Sequence, residues 1–499
     1  MTAATDSRPQ TLTVSVPWTV FLIAGGMVAV LLAVSGAYGF HGDEMYFVVA
    51  GQHPAFGYVD QPPLTPVLSA VSVALLGVSP TAVRVLPALE MGLIVVLTAL
   101  IARDLGGSRR AQVLAAMVAA ISGYLGAGHL DTTTDPDLLA WALVLWLLVK
   151  LLAGGDRRLW LAVGVVAGIG LENKDTLLFL GAGLVVGLVL ARRWDVVRSP
   201  WAWSAIGIAL LLWAPNLAWQ AANGWPQLAM AQAIAGYAAD NRAQFVPLLW
   251  LFSGPLLFVV SAAGLGWILR AEAAGPWRAI GIAALVALIL VFLTGGKAYY
   301  VIGSVTVFMA AGAMAIDRWL TRGHFRVKAG SFAVAAVLSG ALIALLTLPV
   351  LPVATFATSS LPAAIPDTAN QIGWPQFAAT VAGVVAALPA DKRAHAVILT
   401  NDYSEASPLI LLGNGLPPVY SGHNAYWAWG PPAADRTVVI HVGDWRPADY
   451  SQLFSGCQVV ASIDNGLGVE NSEQGEPVTV CTGLRAPWTT LWPELRTIS

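Results

Sequence analysis

The fold class predicted by this sequence is a polytopic α-helical membrane protein with about eleven transmembrane helices and a small extracytoplasmic C-terminal α/β domain. Three observations predict it. Of the 499 residues, 57% are hydrophobic and only 11% charged, where soluble domains carry about 25% charge. Apolar runs recur at close to the length of about 20 residues that crosses a bilayer. After Val350 the apolar runs shorten to strand length, and Pro, Asn and Asp become frequent.

The first apolar run, Val16 to Ala37, exceeds the roughly 7–15 residues of a signal-peptide core. No small-residue cleavage site follows it, so it is expected to remain as the first span. The expected spans are 16–38, 81–102, 111–128, 134–153, 159–172, 175–191, 201–220, 246–270, 278–294, 299–316 and 330–350. Every second loop between them is basic: Arg103, Arg109 and Arg110; Arg157 and Arg158; Arg192, Arg193 and Arg198; Arg270 and Arg278; then Arg318, Arg322, Arg326 and Lys328. Basic loops mark the cytoplasmic side. The N-terminus is therefore expected inside and the acidic loops outside, in a plasma (inner) membrane protein. The net charge of -2 hides this segregation. No basic tract or zinc-ligand spacing points to nucleic acid, and no internal repeat points to an inverted-repeat transporter.

Residues 1–350 are read as the transmembrane domain, with a first outer loop at about 39–80, and 351–499 as the outer α/β domain. In the latter, "AHAVILTNDY" and "RTVVIHVGDW" read as buried strands, "PPVYSGHN" as a third, and "SPLILLGNG" as a helix ending on glycine. Cys457 and Cys481 both fall here; a disulfide and two unpaired thiols both stay open.

The outer loops hold the residues with chemical potential. The first, "FHGDEMYFVVAGQHPAFGYVDQPPLTP", has the adjacent acids Asp43 and Glu44, a third at Asp60, and no Lys or Arg. Leu64 to Gly77 is too short to span and reads as a helix along the interface. Asp131, Asp135 and Asp137 recur at the mouth of the fourth span, where Asp135 before Pro136 also fits a helix cap. Converging carboxylates suit general-base work or a divalent cation, and no other cofactor is indicated. Lys174 in "GLENKDTLLF" suits an anionic lipid headgroup, or a local ion pair with Glu172 or Asp175. Lys297 in "LTGGKAYYVIGS" precedes Tyr299 and Tyr300, which also fits an aromatic belt with a snorkelling lysine. Arg84 ends the second span as a further phosphate contact or an anchor. The aromatic stretch from His423 to Pro432 fits sugar stacking, a domain core or a membrane-facing belt.

In this order the motifs resemble those of the membrane glycosyltransferases with the C-type (GT-C) fold, in particular the protein O-mannosyltransferases and the aminoarabinose transferases to lipid A. That family has an acidic pair after its first span, matched by Asp43-Glu44. Its acid-Lys-Pro-Pro-Leu element corresponds to Asp60-Gln61-Pro62-Pro63-Leu64, and its Thr-Thr-Asp to Thr133-Thr134-Asp135. Its Gly-x-x-x-Lys corresponds to Gly170 to Lys174, and its basic-then-tyrosine element to Lys297 to Tyr300. The match runs over roughly residues 16–320.

The resemblance implies a polyprenyl-phosphate-linked sugar donor at the outer face and a lipid, glycan or protein acceptor, among membrane lipids. It implies Asp43 as base or as the acid that orients the acceptor, with Glu44 as its neighbour, and Asp135 holding acceptor or sugar. Lys174 and Lys297, with Tyr299 or Tyr300, would hold the phosphate leaving group, and the transfer would invert the anomeric carbon. Asp60 and Gln61 would mark the lipid-phosphate end. Gln61 departs from the family lysine, since an amide donates to phosphate without neutralising it. The alternative class is a polar-lipid transporter or flippase, whose acids and broken helices would lie at mid-membrane.

Overall fold

The computed structural model describes residues 14–445 and 447–499. Helix α1 (Trp18–Val34) carries no charged residue and is apolar but for Thr19. The first loop then folds into α2 (Gly42–Gly51) and α3 (Leu64–Leu76). A capping box starts α2: the His41 ring accepts from the Asp43 amide at 3.2 Å, and Glu44 accepts from the His41 amide at 2.7 Å. Ser79 caps α4 (Pro80–Asp104), and Ser108 caps α5 (Arg109–Ala120). Then come α6 (Thr134–Leu152), α7 (Leu159–Leu171), α8 (Leu177–Leu190), α9 (Pro200–Ala222) and α10 (Pro226–Gly236). The helical part closes with α11 (Ala238–Phe252), α12 (Phe258–Arg270), α13 (Arg278–Thr294), α14 (Val305–Thr321) and α15 (Phe325–Thr347).

The chain is a multi-pass membrane protein by its helices. Pro80–Asp104, Pro200–Ala222, Glu272–Thr294, Ala298–Thr321 and Phe325–Thr347 are long and apolar enough to cross a bilayer. The other expected spans fall on shorter apolar stretches or on α6, whose ends carry Asp135, Asp137 and Lys150. The stretch expected as one span over 246–270 is two helices. Gly254 takes a left-handed φ of 84°, and Pro255 has no amide to donate, so α11 stops and α12 restarts. Helix α10 occupies a stretch where no element is expected. Its polar Gln227 and Gln232 and its short length hide it from a search for spans.

Helices α4, α5, α6 and α14 pack together, with α8 along α13, α12 along α14 and α7 along α9. Beyond them lie α16 (Trp374–Ala387) and a five-stranded sheet. Its strands are β1 (Ala396–Thr400), β2 (Val419–Ser421), β3 (Val438–Val442), β4 (Phe454–Ser462) and β5 (Pro477–Leu484), ordered β2-β1-β3-β5-β4. Strand β1 runs parallel to β2 and β3, while β5 is antiparallel to β3 and β4. The three expected strands are β1, β2 and β3, and the expected helix is α17 (Tyr403–Leu412). Strands β4 and β5 were not foreseen. Cys457 and Cys481 face each other across that pair and are joined by a disulfide, which closes the alternative left open above.

The core crosses the expected division at residue 350. Phe40, Met45, Val48 and Val83 pack with Trp374, Phe377, Ile398 and Ile440, while Tyr46 and Phe47 pack with Ala406 and Tyr426. Helix α2 of the first loop thus lies against α17. The approach is close because residue 42 is glycine: a Cβ there would fall 2.8 Å from the Ser404 Cβ. The aromatic stretch near Tyr426 packs inward, Tyr426 meeting Trp429 at 4.5 Å, so the core reading of that stretch holds.

Candidate active site

A cavity of about 510 Å³ opens where α2, the Asp60-Gln61-Pro62 turn, the α7–α8 link, α10, the Lys297–Tyr300 segment and α17 meet. It gathers most of the residues singled out in the sequence: Asp43, Asp60, Gln61, Lys174, Lys297, Tyr299 and Tyr300.

Three polypeptide stretches are tied together to present Lys174. The Leu64 amide donates to the Glu172 carbonyl at 2.9 Å, Thr65 donates to the Asn173 side chain at 2.6 Å, and the Asn173 amide group donates to the Thr133 carbonyl at 2.7 Å. The Lys174 ammonium donates to Thr133 Oγ1 at 3.1 Å and lies 4.8 Å from the ring centres of both Tyr299 and Tyr300. The two rings meet edge to face, with centres 5.0 Å apart, and Lys297 Nζ lies 5.9 Å from the Tyr299 ring. Neither lysine forms an ion pair among the described residues. The local pair of Lys174 with Glu172 or Asp175 is therefore not formed. Burial lowers the Lys174 ammonium to about 8, partly countered by the charge of Asp137. Two cations at π faces, neither in an ion pair, form a ready seat for an anion.

The same lining carries the carboxylates Asp43, Asp60 and Asp175. Asp43 Oδ1 accepts from the Tyr403 hydroxyl at 2.9 Å, and Asp60 Oδ1 accepts from the Tyr46 hydroxyl at 2.8 Å. Burial lifts Asp60 to about 6; the Tyr46 hydrogen bond opposes that shift and the charge of Asp43 adds to it. Met230, Ala231, Ile234 and Ala235 of α10, with Phe179 of α8, give the cavity an apolar side. Among the described residues no group of three His, Cys, Asp or Glu side chains is arranged to hold a metal ion.

Three expected site residues lie outside the lining. Glu44 is fully buried, and both its oxygens are held by Arg84 at 2.7 Å. Burial alone would raise the Glu44 carboxyl, but the Arg84 charge and hydrogen bonds leave it below the ordinary value. Arg84 also donates to the Ser35 and Gly39 carbonyls at 2.6 and 2.9 Å. Its donors are spent inside the protein, so Arg84 is an anchor and not a phosphate contact, and Glu44 is its counter-ion. Asp135 is 1% exposed and accepts from the Thr132 amide and hydroxyl at 2.9 and 3.1 Å. Asp135 thus lies inside the first turn of α6 and bonds back to the preceding turn; it is not the N-cap, which is Thr133, and Thr133 is the residue of this motif that reaches the cavity. Sequence reasoning missed Tyr403, Asn424 and Ser499, which reach the cavity from the C-terminal part.

A family model described as dolichyl-phosphate-mannose-protein mannosyltransferase matches residues 60–219. The chain is 27% identical over 224 residues to the undecaprenyl phosphate-alpha-4-amino-4-deoxy-L-arabinose arabinosyl transferase 2 of Pseudomonas fluorescens (strain Pf0-1), covering 42% of this chain and 40% of that one. It is 27% identical over 255 residues to the corresponding arabinosyl transferase of Pseudomonas savastanoi pv. phaseolicola (strain 1448A / Race 6), covering 46% and 48%. The chain thus spans less than half the length of these curated relatives. Its fold is similar to that of ArnT from Cupriavidus metallidurans, solved with undecaprenyl phosphate bound, at a TM-score of 0.61 and 15% identity over 93% of this chain and 97% of that one. The chain therefore resembles the C-type membrane glycosyltransferases, in fold over nearly its whole length and in sequence over part of it.

Proposed function

We propose that the protein transfers a sugar from a polyprenyl-phosphate-linked donor to an acceptor oxygen at the extracytoplasmic face of the plasma membrane. The observation that carries this reading is one cavity lined together by Asp43 and Asp60, by Lys174 and Lys297, and by apolar residues of α10. The donor phosphate pairs with the two lysines, its prenyl chain lies against Met230 and Ile234, and the sugar points toward the acids. Asp43 takes the proton of the acceptor hydroxyl or phosphate. The acceptor oxygen bonds to the anomeric carbon as the bond from that carbon to the phosphate oxygen breaks. The electron pair leaves with the polyprenyl phosphate, where Lys174 and Lys297 stabilise the growing charge. Attack opposite the leaving group inverts the anomeric configuration. The N-terminus lies in the cytoplasm, and the C-terminal sheet lies outside.

The test is transfer of radiolabelled sugars from undecaprenyl phosphate by the full chain in lipid nanodiscs, against lipid, glycan and protein acceptors. Asp43→Asn is expected to lower kcat by about 10²- to 10⁴-fold. A wild type that transfers from no donor, or an Asp43→Asn protein of normal rate, overturns the reading. The same assay in EDTA reads cation dependence: a loss restored by magnesium assigns a divalent cation to the cavity carboxylates.

A further inference from the structure

Asp43 belongs to the first loop, but its hydrogen-bond partner does not. The helices α2 and α17 meet N-terminus to N-terminus, with Gly42 against Ser404. Each begins with a capping box. In α17 the Asp402 carboxylate accepts from the Ser404 and Glu405 amides at 2.7 and 3.2 Å, and Glu405 accepts from the Asp402 amide at 3.3 Å. Tyr403, the first residue of α17, is therefore fixed at its backbone. Its ring is fixed as well, between Tyr46 at 4.5 Å and His423 at 5.2 Å. From this position its hydroxyl donates to Asp43 Oδ1 at 2.9 Å.

No other hydrogen-bond donor reaches the Asp43 carboxylate among the described residues. His41 Nδ1 lies 3.9 Å from Oδ2, yet that nitrogen accepts from the Asp43 amide at 3.2 Å. A ring nitrogen that accepts has no proton to give. The two oxygens of Asp43 are thus unequal: Oδ1 is held by the phenol, and Oδ2 has no donor among the described residues.

We propose that Tyr403 is a positioning residue for Asp43: its hydroxyl holds Oδ1 so that Oδ2 is the oxygen that takes the acceptor proton. This deepens the proposed function and rests on Asp43 acting there as the base. The charge of Asp43 first, then burial, keeps the Tyr403 phenol well above its ordinary range, so it stays a donor at neutral pH. The C-terminal part therefore contributes to the reaction through one oxygen–oxygen contact, by fixing the rotation of a first-loop carboxylate.

Tyr403→Phe removes the hydroxyl and keeps the ring stack. In the full chain in nanodiscs, with radiolabelled sugars on undecaprenyl phosphate as donors, kcat is expected to fall about 10- to 100-fold. The donor KM and the affinity for free undecaprenyl phosphate are expected to stay within about twofold. The melting temperature is expected to remain near wild type, and Tyr403→Leu, which also removes the stack, separates packing from the hydrogen bond. An active wild type with an equally active Tyr403→Phe overturns this inference alone. Parallel losses in kcat and in undecaprenyl phosphate affinity also overturn it, because they make Tyr403 a donor contact. A wild type that transfers sugar from no donor overturns the proposed function, and the inference falls with it.

Discussion

The Arg84 guanidinium grips both oxygens of Glu44 at 2.7 Å, with the two side chains 1% and 0% exposed. The pair joins the end of α1 to the start of α2, through the further bonds of Arg84 to Ser35 and Gly39. Removing one partner strands a buried charge, at a cost of about 3–5 kcal/mol. Arg84→Met is expected to lose that much stability in thermal melts while its folded fraction still binds undecaprenyl phosphate. A variant that melts like wild type but no longer binds the lipid would make Arg84 a phosphate contact after all.

Lys174 sets an upper pH limit. Its ammonium titrates near 8, so its charge is present below that value and is lost above it. Undecaprenyl phosphate affinity is expected to fall about tenfold per pH unit beyond that point. Lys174→Arg, charged to beyond about pH 12, is expected to remove the slope. Tryptophan fluorescence titrations across pH read both; an unchanged slope in the arginine variant contradicts the assignment.

Asp60 should show itself in stability. Its carboxyl titrates at about 6 in the folded protein against 3.8 ordinarily, so the folded state holds the proton more tightly. That contribution is complete below 3.8 and is lost as pH rises through about 6. Asp60→Asn keeps an acceptor for Tyr46 and carries no charge. It is expected to be more stable than wild type above that pH, by on the order of 1 kcal/mol, with the difference vanishing in acid. Melting curves that differ by the same amount at every pH would show another cause.

Gly42 tests the contact between the first loop and the C-terminal part. A side chain there meets Ser404 at 2.8 Å, whereas a Cβ added at Gly25 would point into open space. Gly42→Val is expected to cost about 1–3 kcal/mol and to slow transfer as Asp43 and Tyr403 separate. Gly25→Ala is the control and is expected to be neutral or slightly stabilising. Full activity in Gly42→Val would mean that α2 tolerates displacement from α17.

Most of this arrangement was legible where the signal is local. Apolar length gave the long helices, and β1 and β3 read as buried strands because both faces are covered. Lys174 and Lys297 stood out because ionisable residues are rare beside apolar runs. Pairings between distant segments left no such mark. Nothing near Glu44 announces Arg84, and nothing near Asp43 announces Tyr403. Asp135 shows the converse: a motif read for chemistry holds the turn before its helix through Thr132. Strand β4, largely exposed at the sheet edge, lacks the continuous burial that made β1 and β3 readable.

The phenol that holds Asp43 lies 360 positions further along the chain. At about 5–20 residues per second, a ribosome needs on the order of 20–70 s to travel between them. Throughout that interval the first loop is already translated, and its carboxylate lacks its partner. The protein's birth is therefore staged: the first loop is made early, its partner late, and a chain released between the two would carry Asp43 without Tyr403.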